Sequence, residues 1–133
     1  MKEAGMPQLY LENLGPWRQM LGFGLSTFAE KLDPVRSDCH AWSSSPNYFF
    51  LSLVCGIGPG TSGYKTVSIR PNPGDLKEVK GAVPHPLGMI RVKYKIYGVS
   101  IEAEIELPEG LQGEFVWLGV KRPLTEGMQT ISF

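Results

Sequence analysis

One carboxylate and one imidazole lie close together in a segment rich in glycine, serine, tryptophan and proline. Glu30 belongs to the run at residues 22–31, and His40 belongs to the run at residues 39–46. This composition is typical of a loop that lines a pocket. A carboxylate and a histidine that converge can perform acid/base chemistry or hold a polyol. Spacing alone leaves the alternative open that Glu30 is a solvated surface residue and His40 a structural one.

Length, composition and charge limit the class of protein. The 133 residues suffice for one ordinary domain, or for one small domain with an appendage, and 42% apolar content is typical of globular proteins. Thirteen basic residues balance thirteen acidic ones, so charge indicates neither nucleic acid nor an anionic membrane as a partner. No apolar run could span a bilayer. Residues 1–5 lack the core of a signal peptide, and the compartment, cytoplasmic or exported, stays open.

The two cysteines indicate neither a disulfide framework nor a zinc site. Cys39 and Cys55 stand alone, without a CxxC pair. A single bridge between them is an alternative, but we expect reduced and buried thiols. We therefore expect no cofactor and no metal.

The elements that must position this chemistry begin as short, interrupted helices. Tyr10 and Leu14 share one face of a helix over residues 7–14. Pro16 suits the first position of the next helix, and glycines at 22 and 24 end it.

A third helix is predicted over residues 46–55. Pro46 opens it, with the serines at 43–45 as N-cap candidates, and Gly56 stops it. Because residues 47–55 are apolar nearly all round, we expect burial on most sides. A short helical segment cannot supply that cover alone. A partner surface, a missing piece of chain, or a homo-oligomer formed through this helical face must complete it.

The rest of the chain predicts β-structure after a linker at residues 58–63. Residues 64–70 alternate in polarity, with Val67 and Ile69 on one face. The clearest element is a hairpin over residues 90–107 with a turn at Tyr97-Gly98. On one face that turn pairs basic residues of the first strand with glutamates of the second, Lys93 with Glu102 and Arg91 with Glu104. On the other face it pairs Tyr94 with Ile101 and Val92 with Ala103. The charged ladder is either a binding patch or, as we expect, a solvated sheet face.

Two further strands complete a small antiparallel sandwich. They cover residues 113–118 and 128–133, with turns at 108–110 and 119–127, and the proline-rich residues 82–86 suit an edge. The predicted fold class is α+β, with a short N-terminal helical segment followed by a small antiparallel β-sandwich. Alternation predicts that Trp117 belongs to the core, and that His85, between two prolines, is a rigid loop residue.

Several motifs in order carry a family resemblance. They are Leu25-Ser-Thr-Phe-Ala-Glu30, residues 33–48, residues 54–57, residues 63–71, residues 83–88 and Leu107-Pro-Glu-Gly110. Together they resemble the C-terminal end of bacterial α-L-rhamnosidases of glycoside hydrolase family 78. The resemblance covers nearly the whole chain. It implies the last helices and active-site loop of an (α/α)6 barrel at residues 1–57, a linker at 58–63, and a C-terminal β-sandwich at 64–133.

The resemblance also implies roles for particular residues. The family hydrolyses terminal α-L-rhamnose with inversion, which needs two carboxyl groups roughly 6.5 to 9.5 Å apart. Glu30 falls at the family's T-T-x-x-E position, the general base, with Ser26 where Thr is common. His40 falls at the pocket histidine that bonds sugar hydroxyls. Trp42 lines the same pocket or belongs to the core.

The chain departs from the family in what it lacks. The family's general acid lies upstream, and no residue before Glu30 stands in a matching context. Leu118 stands where Asn is expected before Gly119, which alters the turn. We therefore expect an inactive C-terminal fragment whose partners, together with the upstream barrel, are L-rhamnose-containing glycosides. The alternative is a non-catalytic accessory sandwich that caps a barrel or binds carbohydrate through aromatic platforms such as Trp117, Tyr94 or Tyr97.

Overall fold

The computed structural model describes residues 8–32, 34 and 36–133. Two compact units form, Met1–Phe50 and Leu51–Phe133. The predicted helix start at Pro7 and the motif positions Asp33 and Val35 lie outside the described residues. No helix in the described part is long and apolar enough to cross a membrane.

The first unit consists of short, interrupted helices, as the sequence predicts. Helices α1 and α2 are followed by a loop, a 3-10 helix, helix α3 and a π-helical turn that runs into the second unit. Their bounds are α1 Leu9–Glu12, α2 Gly15–Gly22, the 3-10 helix Ala41–Ser44, α3 Ser45–Phe49 and the π-helix Phe50–Val54. Pro16 occupies the first turn of α2, and Gly24 beyond its end has a φ of 74°.

The serines before α3 do not cap it, which corrects the predicted N-cap. No side-chain cap bond forms at Ser44, whose hydroxyl donates instead to the Ala41 carbonyl at 2.6 Å. Ser43 Oγ lies 2.7 Å from the His40 carbonyl oxygen and 3.2 Å from that of Phe28. These hydroxyls therefore fix the loop that precedes α3 rather than the end of the helix.

The apolar segment that starts with α3 is not buried on most sides, contrary to prediction. Tyr48 is 68% exposed, Phe49 40% and Phe50 41%. Tyr10 is the aromatic neighbour that packs on this face, with ring centroids 5.6 Å from both phenylalanines. One ring is too small to cover three, so an aromatic surface remains open to solvent.

The second unit contains eight strands in two four-stranded sheets. Their bounds are β1 Ile57–Pro59, β2 Thr66–Ile69, β3 Glu78–His85, β4 Gly88–Tyr97, β5 Ser100–Leu107, β6 Gln112–Trp117, β7 Val120–Leu124 and β8 Gly127–Ser132. The orders are β1-β2-β6-β7 and β3-β4-β5-β8. Neighbours are antiparallel except β2 and β6, which are parallel. This confirms the predicted α+β class with a β-sandwich.

Two strands arise where the sequence predicts a linker or a turn. Strand β1 includes residues 58–59 of the predicted linker, and β7 lies within the predicted turn at residues 119–127. In β7 only Leu124 is buried, so this edge strand shows no alternation that could reveal it. The predicted edge position of residues 82–86 is confirmed, because β3 pairs with β4 alone.

The charged hairpin forms, but its register differs from the predicted one by two residues. Tyr97 pairs with Ser100, so the turn is Gly98-Val99, and Lys93 faces Glu104 instead of Glu102. Arg91 likewise faces Glu106, Tyr94 faces Ala103, and Val92 faces Ile105. Gly98 has a φ of 65°, and glycine at the first of two turn positions is typical of a type II′ hairpin. A shift of two keeps every side chain on its face, so alternation could not exclude it.

The core of the sandwich includes two of the three aromatic residues named as possible sugar platforms. Trp117 is buried and its indole N–H donates to the Val99 carbonyl at 2.7 Å. Tyr94 is buried and its hydroxyl donates to the Cys55 carbonyl at 2.8 Å. The predicted core role of Trp117 is confirmed, and Tyr97 alone of the three platform candidates is exposed.

Two smaller predictions need correction. Cys55 is buried and free, but Cys39 is free and exposed, because it lies on the open loop before the 3-10 helix. Burial raises the pKa of the Cys55 thiol to about 11. His85 ends strand β3 instead of lying in a loop. Its Nε2 is 2.9 Å from the Tyr64 carbonyl oxygen, and its Nδ1 accepts the Leu87 N–H at 3.2 Å.

The turn between β6 and β7 carries a backbone strain that substitution should relieve. Leu118 has a φ of 47° and Gly119 a φ of 86°, the pattern of a type I′ turn that favours Asn-Gly. A branched side chain in the left-handed region costs about 1 kcal/mol. We expect Leu118→Asn to raise the free energy of unfolding by about 1 kcal/mol, measured by urea denaturation. Leu118→Ala is the control, and an equal effect of the two would contradict the turn argument.

Candidate functional site

Two short segments of the loop between α2 and the 3-10 helix pair through their backbones. The Glu30 N–H donates to the Ser37 carbonyl at 2.9 Å, and the His40 N–H donates to the Phe28 carbonyl at 2.7 Å. The Thr27 hydroxyl adds a bond to the Asp38 carbonyl. Glu30 and His40 therefore lie on paired segments, and the structure brings them together.

Ser43, the third residue of the 3-10 helix, connects the two sides of this paired loop. It is 2% exposed, and its carbonyl accepts the Trp17 indole N–H at 2.7 Å. Its hydroxyl lies within bonding distance of both the Phe28 and His40 carbonyls. Ser43 thus contacts both sides of the loop through its hydroxyl, and its carbonyl is bonded to Trp17 of α2.

The Glu30 carboxylate is held by an arginine that the sequence argument did not single out. Arg36 Nε lies 2.7 Å from Oε2, and Arg36 Nη2 bonds Oε1. The side chain of Glu30 is only 13% exposed, whereas that of Arg36 is 74% exposed. This is a bidentate pair, in which the planar guanidinium matches both oxygens of the carboxylate.

The electrostatic surroundings favour an ionised Glu30. The hydrogen bonds from Arg36 lower the pKa of the Glu30 carboxyl, partial desolvation opposes them, and the charges of Arg36, His40 and Lys31 lower it further. A carboxylate that stays ionised can accept a proton, although a lowered pKa makes it a weaker base.

His40 and Trp42, which the resemblance predicts to contact sugar, pack against each other. The two rings lie 5.9 Å apart in an edge-to-face arrangement. Trp42 is 61% exposed, which contradicts the core alternative for this residue. His40 Nδ1 is the one buried side-chain polar atom, among the residues described, that has no hydrogen-bond partner. The exposed Trp42 face suits the apolar face of a sugar ring, and the shielded His40 Nδ1 is an unsatisfied polar atom beside it.

Inverting glycoside hydrolysis, which the sequence resemblance implies, needs two carboxyl groups, and Glu30 is a candidate for one of them. Within the described ranges, no three His, Cys, Asp or Glu side chains come together in a way that could hold a metal ion. A carboxylate in this position can accept a proton, and an imidazole can hydrogen-bond a hydroxyl.

The charged ladder of the sandwich offers a weaker candidate. Lys93 Nζ lies 2.9 Å from Glu104 Oε1, and Arg91 Nη1 lies 3.1 Å from Glu106 Oε2. These groups satisfy one another across β4 and β5. The ladder has the features of the solvated sheet face predicted from its alternation.

Comparisons with known proteins agree on one family. Residues 56–131 match the family model described as the bacterial alpha-L-rhamnosidase C-terminal domain. The family 78 rhamnosidase of Bacillus sp. GL1 superposes with a TM-score of 0.74 at 30% identity, covering 86% of this chain and 13% of that chain. No curated protein matches the sequence.

Two more distant structures share the fold. The α-L-rhamnosidase of Aspergillus terreus gives a TM-score of 0.78 at 20% identity, covering 89% of this chain and 16% of that one. The enzyme of Streptomyces avermitilis, solved with L-rhamnose, gives 0.75 at 18% identity, covering 90% and 15%. The chain thus spans less than a fifth of the length of the solved structures that it matches.

Proposed function

The chain belongs to the bacterial α-L-rhamnosidase C-terminal domain family, and from this we propose that it works as the C-terminal part of an inverting α-L-rhamnosidase. The match of residues 56–131 to that family carries the proposal. In it, Glu30 is the general base, and His40 and Trp42 contact the sugar. The chain alone is inactive, because the general acid belongs to upstream barrel helices.

The geometry around Glu30 supports its proposed role. An inverting base must be ionised so that it can take a proton from the attacking water. Glu30 is held ionised by Arg36. Its backbone pairs with the segment that carries His40, so a sugar bonded to His40 would lie near the carboxylate.

The sugar-contacting roles are supported by exposure and by an unsatisfied atom. The Trp42 ring is open to solvent, and aromatic faces suit the apolar face of a sugar. His40 Nδ1 has no partner within the described ranges, and a buried polar group without one costs about 1–3 kcal/mol. A bound rhamnose hydroxyl would remove that cost.

The aromatic surface of the first unit supports the proposal that another surface covers it in the working protein. Tyr48, Phe49 and Phe50 are exposed, and contiguous apolar patches of this kind mark interfaces. We propose upstream barrel helices as the cover. An antibody to this chain, used on an extract of its source, tests this choice. A band several times larger than this chain supports it, whereas a band of the chain's own size favours self-association through the helical face.

The activity itself is tested with the chain alone and with variants. We expect no hydrolysis of an aryl α-L-rhamnoside by this chain, because one carboxylate cannot supply both acid and base. Turnover that disappears in Glu30→Gln would contradict the proposed inactivity. Turnover that persists in Glu30→Gln would point to a contaminating enzyme.

Sugar contact is tested by NMR titration with L-rhamnose. We expect small shifts at the Trp42 indole and the His40 ring, abolished by His40→Ala and reduced by Glu30→Gln. Binding should be weak because half a pocket lacks convergent contacts. Tyr97→Ala is the matched control on the exposed face of the sandwich. Shifts that depend on Tyr97 instead of His40 would favour the accessory carbohydrate-binding role.

A further inference from the structure

Arg36 covers the Glu30 carboxylate from the solvent side. Its Nε and Nη2 each bond a different carboxylate oxygen, which fixes the plane of the carboxylate as well as its charge. A lysine in the same place would supply charge without that fork. Glu30 is mostly shielded and Arg36 is mostly exposed, so the Arg36 guanidinium lies between the Glu30 carboxylate and the solvent.

The loop closure places this arginine beside Glu30. Ser37, the next residue along the chain, accepts the Glu30 backbone N–H at 2.9 Å. The second closure, from the His40 N–H to the Phe28 carbonyl, is 2.7 Å long. The backbone pairing that brings His40 near Glu30 therefore also places Arg36 beside Glu30.

We propose that Arg36 is a positioning residue, whose guanidinium fork fixes the orientation of the Glu30 carboxylate for proton transfer from water. This inference rests on the proposed function, in which Glu30 is the base. In this role Arg36 contacts neither the attacking water nor the sugar, and it acts through Glu30.

Lone-pair geometry permits the pair to persist while Glu30 works. A carboxylate offers about four acceptor sites on its two oxygens, and Arg36 occupies one on each oxygen. One site on each oxygen then remains for a water and for a sugar hydroxyl. The fork restricts where those sites point, and positional restriction of reacting groups accounts for much of enzymatic rate enhancement.

A positioning role can be distinguished from a structural role by measuring stability separately from the orientation and ionisation of Glu30. Arg36 is mostly exposed, and an ion pair with an exposed partner contributes little to stability, since solvent screens it and side-chain entropy opposes it. We therefore expect Arg36→Gln to leave the urea midpoint of the chain unchanged. The orientation and ionisation of Glu30 should change nonetheless, and these are the quantities to measure.

The test is NMR of the Glu30 side chain in the full chain. The carboxyl carbon is titrated against pH, and the methylene couplings report whether one rotamer or several are populated. In the wild type we expect one rotamer and a pKa below the usual range for Glu. In Arg36→Gln the pKa should rise towards that range and the rotamers should average. In Arg36→Lys the rotamers should also average, with a smaller rise in pKa.

Lys31→Gln is the control, because Lys31 influences Glu30 only through its charge and should leave the rotamer fixed. Unchanged couplings and an unchanged titration in Arg36→Gln would overturn the inference. So would a fixed rotamer in Arg36→Lys, since charge alone would then suffice. The proposed function fails separately, if rhamnose leaves the His40 and Trp42 signals unmoved while the Glu30 titration responds to Arg36.

Discussion

Gly113→Ala is expected to destabilise the second unit by about 3 kcal/mol, because the added methyl has no space. A Cβ at this position would lie 2.1 Å from the Val67 carbonyl oxygen and 2.5 Å from its Cγ1. Gly113 pairs with Val67 across the parallel β2–β6 ladder. The clash is with backbone, so no rotamer change relieves it, and one of the two strands must move.

Urea denaturation followed by the β-sheet circular dichroism of the full chain measures this effect. Gly98→Ala is the control, because its Cβ meets nothing within 4 Å while its φ is 65°. That control should cost about 1 kcal/mol for conformation alone. A Gly113→Ala effect no larger than that of Gly98→Ala would contradict the close approach of β2 and β6.

Tyr94→Ala is expected to cost about 4 kcal/mol, since a large buried side chain leaves a cavity behind. Tyr94 is fully buried, and its ring centroid lies 6.1 Å from that of Phe115. Its hydroxyl is also the partner of the Cys55 carbonyl at 2.8 Å. The substitution removes core volume and one hydrogen bond together.

Tyr97 provides a matched control on the same strand. It is 65% exposed, so Tyr97→Ala should change the free energy of unfolding by no more than about 0.5 kcal/mol. Tyr94→Phe separates the hydroxyl from the ring and should cost about 1 to 2 kcal/mol. Equal urea midpoints for Tyr94→Ala and Tyr97→Ala would show that the core does not centre on Tyr94.

The sequence predicts the fold best where one face of an element is buried and the other is wet. Strands β4 and β5 alternate, and their pairing follows from that alternation. Their register does not, because pairings two residues apart place the same side chains inward, and the position of Gly98 in its turn decides between them. Strand β7 escapes prediction for the opposite reason. It lies at an edge with four exposed residues, so it carries no periodic signal.

The sequence predicts three residues of the candidate site but misses the arginine that holds the carboxylate. Residue types and local composition single out Glu30 and His40, the resemblance adds Trp42 and the role of each, and whether they act on rhamnose stays a prediction. Arg36 was missed because an ion pair depends on how a loop closes, which spacing does not reveal. The available signal was an arginine six residues after the carboxylate, inside the motif at residues 33–48.

The parallel pairing of β2 with β6 has a consequence for the order in which the chain folds. Ser68 and Glu114, which face each other in that ladder, are 46 residues apart. Strands β3, β4 and β5 form consecutive hairpins, whose contacts are local and fast to form. On a ribosome, β2 would emerge long before β6 and keep one edge unpaired, so the β3-β4-β5 meander would assemble before the β2–β6 ladder closes.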